Sequence, residues 1–227
     1  MILPIVAYGD PVLRKQCVEI DADYPNLASL IANMKETMYN ASGVGLAAPQ
    51  IGKAIRLFVI DASPFAEDED LDESDRITLK TFNRVFINAQ IIKEEGDEWA
   101  FNEGCLSIPD VRQDVYRQPK ITIEYQDEDF NTHTEVLEGL AARVFQHEYD
   151  HIEGILFTDK LSSLKKRLIK KKLENISKGK VRADYRMRFP GSMPSTKELG
   201  LKFGIETMAK SSPVVGDIAT RAPRRPA

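Results

Sequence analysis

The chain has 227 residues, 42% hydrophobic and 29% charged, with a formal net charge of -4. That is ordinary globular composition, at a length suited to one substantial domain with at most an appendage. No apolar run approaches the roughly 20 residues a bilayer span needs, and two cysteines, Cys17 and Cys105, are too few for a disulfide scaffold.

The N-terminal stretch MILPIVAYGDPVLRKQC has no basic region ahead of its short apolar run and is poor in Ser and Arg. Neither a secretory nor a transit peptide is indicated, and the expectation is a cytoplasmic protein with free thiols. Leu27, Leu30, Ile31, Met34 and Met38 recur at spacings of three and four, which predicts an amphipathic helix over 26–39. It runs into ASGVGLAAPQIG, where glycines break it. Residues 55–61 (IRLFVID) and 84–92 (RVFINAQII) are rich in β-branched and aromatic residues and read as buried strands. Between them, 61–75 carries eight acidic residues in fifteen positions and reads as a solvated loop. KITIEYQ and THTEVLE flank DEDFN and predict a hairpin.

Next comes LEGLAARVFQHEYDHIEGILF. Apolar residues surround its charged ones, so a buried helix is expected, ended by Gly154. A further helix over 161–176 places Leu161, Leu164, Leu168, Leu173 and Ile176 on one face. Its other face carries Lys165, Lys166, Arg167, Lys170, Lys171 and Lys172. From about 190 onward Pro, Gly, Ser and Ala dominate, which suggests a weakly ordered tail. There are no internal repeats.

The stretch QHEYDH, 146–151, carries the chemistry. His147 and His151 lie four apart, on one face of a helix, so both imidazoles can grip one metal ion. A catalytic ion of this kind takes a third protein ligand and keeps one position open. A downstream His after HExxHxxGxxH fails, because Phe157 stands there. Glu174 is available, but it lies on the basic helix, where a solvent-facing salt bridge suits it better. Upstream, Cys17, Cys105 and His133 remain. Cys17 reads as a small core residue and His133 as exposed beside the hairpin turn. Cys105 lies in EGCLSIP, which suits an extended segment beside a tight turn.

Three blocks in order, GVGLAAPQ (43–50), EGCLS (103–107) and QHEYDH (146–151), make the chain resemble the bacterial-type peptide deformylases. The likeness also takes in the N-terminal ILPIVAYGDPVLR and spans roughly residues 2–175. The resemblance implies that Cys105 is the third ligand beside His147 and His151. It implies one divalent ion, Fe2+ in vivo, with Zn2+, Ni2+ or Co2+ able to substitute. It further implies removal of the N-formyl group from the initiator formyl-methionine of new polypeptides, with release of formate. Glu148 projects about 100° round the helix from His147, a placement suited to a general base. By the same likeness the Gln50 side-chain amide and the Leu106 N–H would stabilise an oxyanion. Gly43, Val44, Gly45, Gly104 and Arg112 would contact the substrate peptide, the glycines by letting a backbone approach closely.

The expected fold is α+β. Antiparallel β-sheets would pack around a buried metal-binding helix, followed by a C-terminal helix, with a catalytic domain over 1–190 and a weakly ordered extension over 191–227. Expected partners are nascent formyl-methionyl polypeptides and the ribosome surface, the latter through the basic helix 160–182, and no membrane. Two rivals stand against this reading. One is a zinc metallopeptidase of the HExxH type using Glu174 or another acid as third ligand, which would not need Cys105. The other is a ribosome- or RNA-binding module with a structural metal, which would need neither Glu148 nor Gln50.

Overall fold

The structure is a computed structural model and describes residues 1–191. The expectation for 191–227 falls, beyond its first residue, outside the described residues. In chain order the elements are β1 (Ile5–Val6), α1 (Leu27–Asn40), β2 (Gly45–Ala47), β3 (Leu57–Asp61), α2 (Glu73–Lys80), β4 (Asn83–Glu95), β5 (Trp99–Cys105), β6 (Ile108–Arg117), β7 (Lys120–Gln126), β8 (Thr132–Glu138), α3 (Gly139–Ile152), α4 (Ser163–Ser177) and β9 (Met187–Arg188). The fold is α+β, as the sequence leads one to expect. No helix among the described residues is long and apolar enough to cross a membrane.

A five-stranded sheet runs β2-β3-β4-β7-β8, antiparallel throughout. Helix α3 packs on it. Phe58 of β3 and Phe86 of β4 stack at 5.1 Å, and Phe145 of α3 meets both rings edge-on at 5.2 and 5.0 Å. These three rings are buried, so they tie the helix to the middle of the sheet, each removing a large apolar area from water. Helix α1 buries Leu30, Ile31, Met34 and Met38 in a second cluster with Leu57, Val59, Val85 and Ile87. Burial of α3 is extensive: every residue from Leu140 to Gln146 is buried, Arg143 included.

Two smaller β units complete the domain. Strands β5 and β6 form a hairpin of their own, with Cys105 opposite Ile108 across the turn. Strands β1 and β9 pair in parallel, which brings the N-terminal segment beside the chain that follows α4.

Gly154 ends α3 with φ +74°, a region where glycine is favoured. A Cβ there would also lie 2.8 Å from the Arg14 backbone, so glycine is required twice over.

Two expectations need correction. The acidic run is not wholly loop. Ser63–Glu67 forms a 3-10 helix that buries Ala66, and α2 begins at Glu73, where the Asp72 carboxylate accepts from the Asp75 N–H at 2.9 Å. An acidic first turn suits a helix N-terminus, so charge that looked like loop composition is partly capping. The α4 face is also different. Leu161, Ile169, Leu173 and Ile176 are buried, whereas Leu164 and Leu168 are 65% and 72% exposed. Leu164 and Leu168 therefore stand among the lysines rather than opposite them.

Candidate metal centre

Strand β5 and helix α3 build the centre between them. The four-residue spacing sets His147 one turn ahead of His151, with ring centroids 5.2 Å apart and the rings edge-on. The β5–β6 turn brings Cys105 against them, and its Sγ lies 3.3 Å from His151 Nε2. One ligand atom from each of Cys105, His147 and His151 lies within 4.8 Å of the others. Among the described residues no other group of three such side chains converges in this way. Glu174 is exposed on α4, where its carboxylate lies 3.9 Å from Lys170. His133 is likewise exposed and bonds Asp127 at 2.7 Å. Cys17 is buried, and burial pushes its thiol up to about 11.

The electrostatics suit a cation. Burial pushes the His151 imidazole well below its usual value and so keeps it neutral, the form that ligates a metal. Burial works in the same direction on His147, but Cys105 and Glu103 outweigh it and raise that imidazole well above its usual value. Cys105 and Glu103 therefore favour positive charge at His147. A thiolate with two imidazoles is a donor set that divalent transition metals accept. The residues present fit one such ion.

Behind the ligands lies a group that the sequence reading missed. Glu103 is buried, and its Oε2 faces His147 Nδ1 at 2.9 Å, which leaves Nε2 to ligate. Arg117 donates to both oxygens of Glu103, at 2.7 and 3.0 Å, and Arg143 donates to Oε1 at 3.1 Å. Burial alone would raise the Glu103 carboxyl, yet the hydrogen bonds and charges of His147 and Arg117 hold it well below the usual carboxylate range. Arg117 continues to Asp150 at 2.7 Å, while Arg143 lies over the Trp99 ring at 4.5 Å. One signal was available in the sequence: Glu103 precedes Cys105 by two, and on a strand such residues share a face. Arg117 and Arg143 gave none.

The proposed substrate-side residues converge on one open cleft of about 620 Å³. Gly43, Val44, Gly45, Gln50, Gly104, Cys105, Leu106, Arg112, His147 and Glu148 all line it. His151 lies deeper, 1% exposed. Burial pushes the Glu148 carboxyl up to about 7, against the pull of His147, and its buried Oε2 has no hydrogen-bond partner among the described residues. The Gln50 Oε1 accepts from the Ala47 N–H at 2.8 Å, which turns Nε2 toward Cys105 Sγ at 3.5 Å and Ser107 Oγ at 3.3 Å. Arg112 is exposed and clamped on Asn102, at 2.9 Å to its side chain and 2.6 Å to its carbonyl. Gly45 has a reason the sequence did not offer. A Cβ at this position would collide with the Glu148 carboxylate. Gly43 is similar, since a Cβ would lie 2.7 Å from Leu106 Cδ1.

Replacing Glu103 by Gln removes the anion and leaves two arginines facing a neutral amide. The expected outcome is a loss of about 3–5 kcal/mol in unfolding free energy and a roughly 10- to 100-fold weaker metal affinity. Denaturant melts and competitive metal titration check both. A variant with wild-type values in each would show that the network does not hold His147.

The polypeptide deformylase family model matches residues 2–167. A peptide deformylase of Christiangramia forsetii is 68% identical over 192 residues, covering 85% of this chain and 98% of the relative. One of Flavobacterium johnsoniae is 69% identical over 189 residues, covering 83% and 96%. Among solved structures, a peptide deformylase from Legionella pneumophila is 37% identical with a TM-score of 0.66, covering 80% of this chain and 99% of that one. The Plasmodium falciparum peptide deformylase gives 32% and 0.67, covering 77% and 95%. With the ligand triad and cleft already in place, these matches establish that the chain belongs to the polypeptide deformylase family.

Proposed function

We propose that the protein removes the N-formyl group from the initiator formyl-methionine of nascent polypeptides and releases formate. The observation that carries this reading is the convergence of Cys105, His147 and His151 beside Glu148, a buried carboxylate that lines the cleft and whose Oε2 has no hydrogen-bond partner among the described residues. Our reading of the ion in vivo is Fe2+, with Zn2+, Ni2+ or Co2+ fitting the same donors. When bound, a divalent ion lowers the pKa of water towards about 7 and polarises a carbonyl.

The chain's own groups would do the rest. Glu148 takes a proton from the attacking water and returns it to the departing amine nitrogen. Its buried setting keeps bulk water from competing for that proton. The Gln50 amide, fixed through Ala47, and the Leu106 N–H donate to the formyl oxygen as negative charge develops there. Gly43, Val44, Gly45 and Gly104 present backbone along the cleft for an extended peptide, with Arg112 at its edge. Hydrogen bonding to main chain gives affinity for many sequences, which suits a substrate defined by its first residue. The setting for this work is the cytoplasm, where new chains emerge.

The ribosome surface is a proposed partner of α4. Lys166, Arg167, Lys170, Lys171 and Lys172 are exposed there. Charge of this kind binds RNA phosphates by releasing counterions, so binding weakens steeply as salt rises. Replacing these five by Gln should abolish low-salt co-sedimentation with ribosomes and leave hydrolysis of a short formyl peptide unchanged. Equal pelleting of variant and wild type at every salt concentration would leave α4 as a solvated face.

Formate release from a formyl-methionyl peptide by anaerobically iron-loaded protein tests the activity. In that assay Cys105→Ser should lose metal and turnover together, because a neutral hydroxyl replaces a thiolate, whereas Cys17→Ser should keep both. A fully loaded, fully active Cys105→Ser protein would remove Cys105 from the ligand set. Glu148→Ala should keep its metal while the rate falls by about two to four orders of magnitude. Metal lost in step with rate would make Glu148 a structural group instead.

A further inference from the structure

The turn that carries Cys105 is held by a residue beyond the end of the family match at residue 167. Leu106 and Ser107 make the reversal between β5 and β6. The Tyr185 hydroxyl donates to the Leu106 carbonyl at 2.7 Å. The Tyr8 N–H donates to the Ser107 carbonyl at 2.8 Å. Tyr185 is itself anchored, because the next residues pair with the N-terminal strand. The Ile5 N–H reaches the Arg186 carbonyl at 2.9 Å, and the Ala7 N–H reaches the Arg188 carbonyl at 2.8 Å. The Tyr185 ring also packs with Leu106 against the α1 cluster. Residues 182–185 form part of the wall of the catalytic cleft.

We propose that Tyr185 is a positioning residue for this reaction, acting through Leu106. This rests on the deformylase reading above, in which the Leu106 N–H serves the oxyanion. The Leu106 N–H and C=O flank one Cα, so the direction of the amide depends on two backbone torsions. Contact of the Leu106 side chain with Gly43 limits one side of the residue, and the Tyr185 hydroxyl pins the carbonyl on the other. Without that bond the turn regains freedom next to the metal ligand Cys105. A donor displaced by even 1 Å from a developing charge gives up much of its effect. The parallel β1–β9 pair therefore has a catalytic consequence: it carries the hydroxyl to the turn.

Tyr185→Phe keeps the ring and its packing and removes only the hydroxyl. In the zinc-loaded, 15N-labelled protein without substrate, the Leu106 amide signal should shift or broaden. In turnover of a formyl-methionyl peptide, kcat should fall by roughly 3- to 10-fold, with KM within about twofold, full metal content and an unchanged melting temperature. Tyr185→Ala, which also loses the ring, should lower kcat further. An unmoved Leu106 signal, a wild-type kcat, a change confined to KM, or a fall in kcat matched by lost metal or a lower melting temperature would each overturn the proposal. If the wild-type protein released no formate while the Leu106 signal still moved in Tyr185→Phe, the activity assignment would fail and the positioning contact would stand.

Discussion

Glu103 is a carboxylate buried at 4% exposure, and the site depends on how its charge is met. An unpaired anion there would cost several kcal/mol, so its neighbours are not optional. Two guanidinium groups and one imidazole answer it. Each answer fixes something else. Arg117 ties β6 to α3 through Asp150, and Arg143 is pressed on Trp99 of β5. His147 is turned so that its second nitrogen faces Cys105 and His151. The energy that keeps this network together is thus also the energy that turns the His147 imidazole toward Cys105 and His151. This explains why a helix as buried as α3 carries Arg143, His147, Glu148, Asp150 and His151. Several of their polar groups satisfy one another or reach across the hairpin, and among the described residues three buried atoms on this helix are left over, Arg143 Nε, Glu148 Oε2 and His151 Nδ1.

Much of this was legible in the sequence, for identifiable reasons. The four-residue spacing of His147 and His151 survives any packing, because helix geometry alone sets it. The buried character of α3 showed in Leu140, Ala141, Val144 and Phe145 beside it. Strands β3 and β4 showed in their β-branched runs. The α4 face was harder. Leucines at 164 and 168 fit helical spacing as well as Ile169 does, and only the docking of the helix decides which face is covered. The acidic run hid α2, because Asp and Glu at a helix start look like loop residues in composition. Glu103, Arg117 and Arg143 were invisible as a set, since they come from β5, β6 and α3 and meet only once the hairpin lies on the helix.

The glycines show the same limit. The sequence allowed close approach of a substrate backbone at Gly43 and Gly45. The structure shows that both positions are already crowded from within, by Leu106 and by Glu148. Side chains at either place would displace a residue of the site before any substrate arrived. Absence of a Cβ here makes room for Leu106 and for the Glu148 carboxylate.

Our proposed site holds one ion by one sulfur and two imidazole nitrogens. X-ray absorption on metal-loaded protein, with Cys17 replaced by Ser so that Cys105 supplies the only thiolate, reads that donor set directly. The account predicts one sulfur and two imidazole nitrogens among the nearest neighbours of the metal. A spectrum without sulfur, or one fitted only by oxygen and nitrogen, would contradict it.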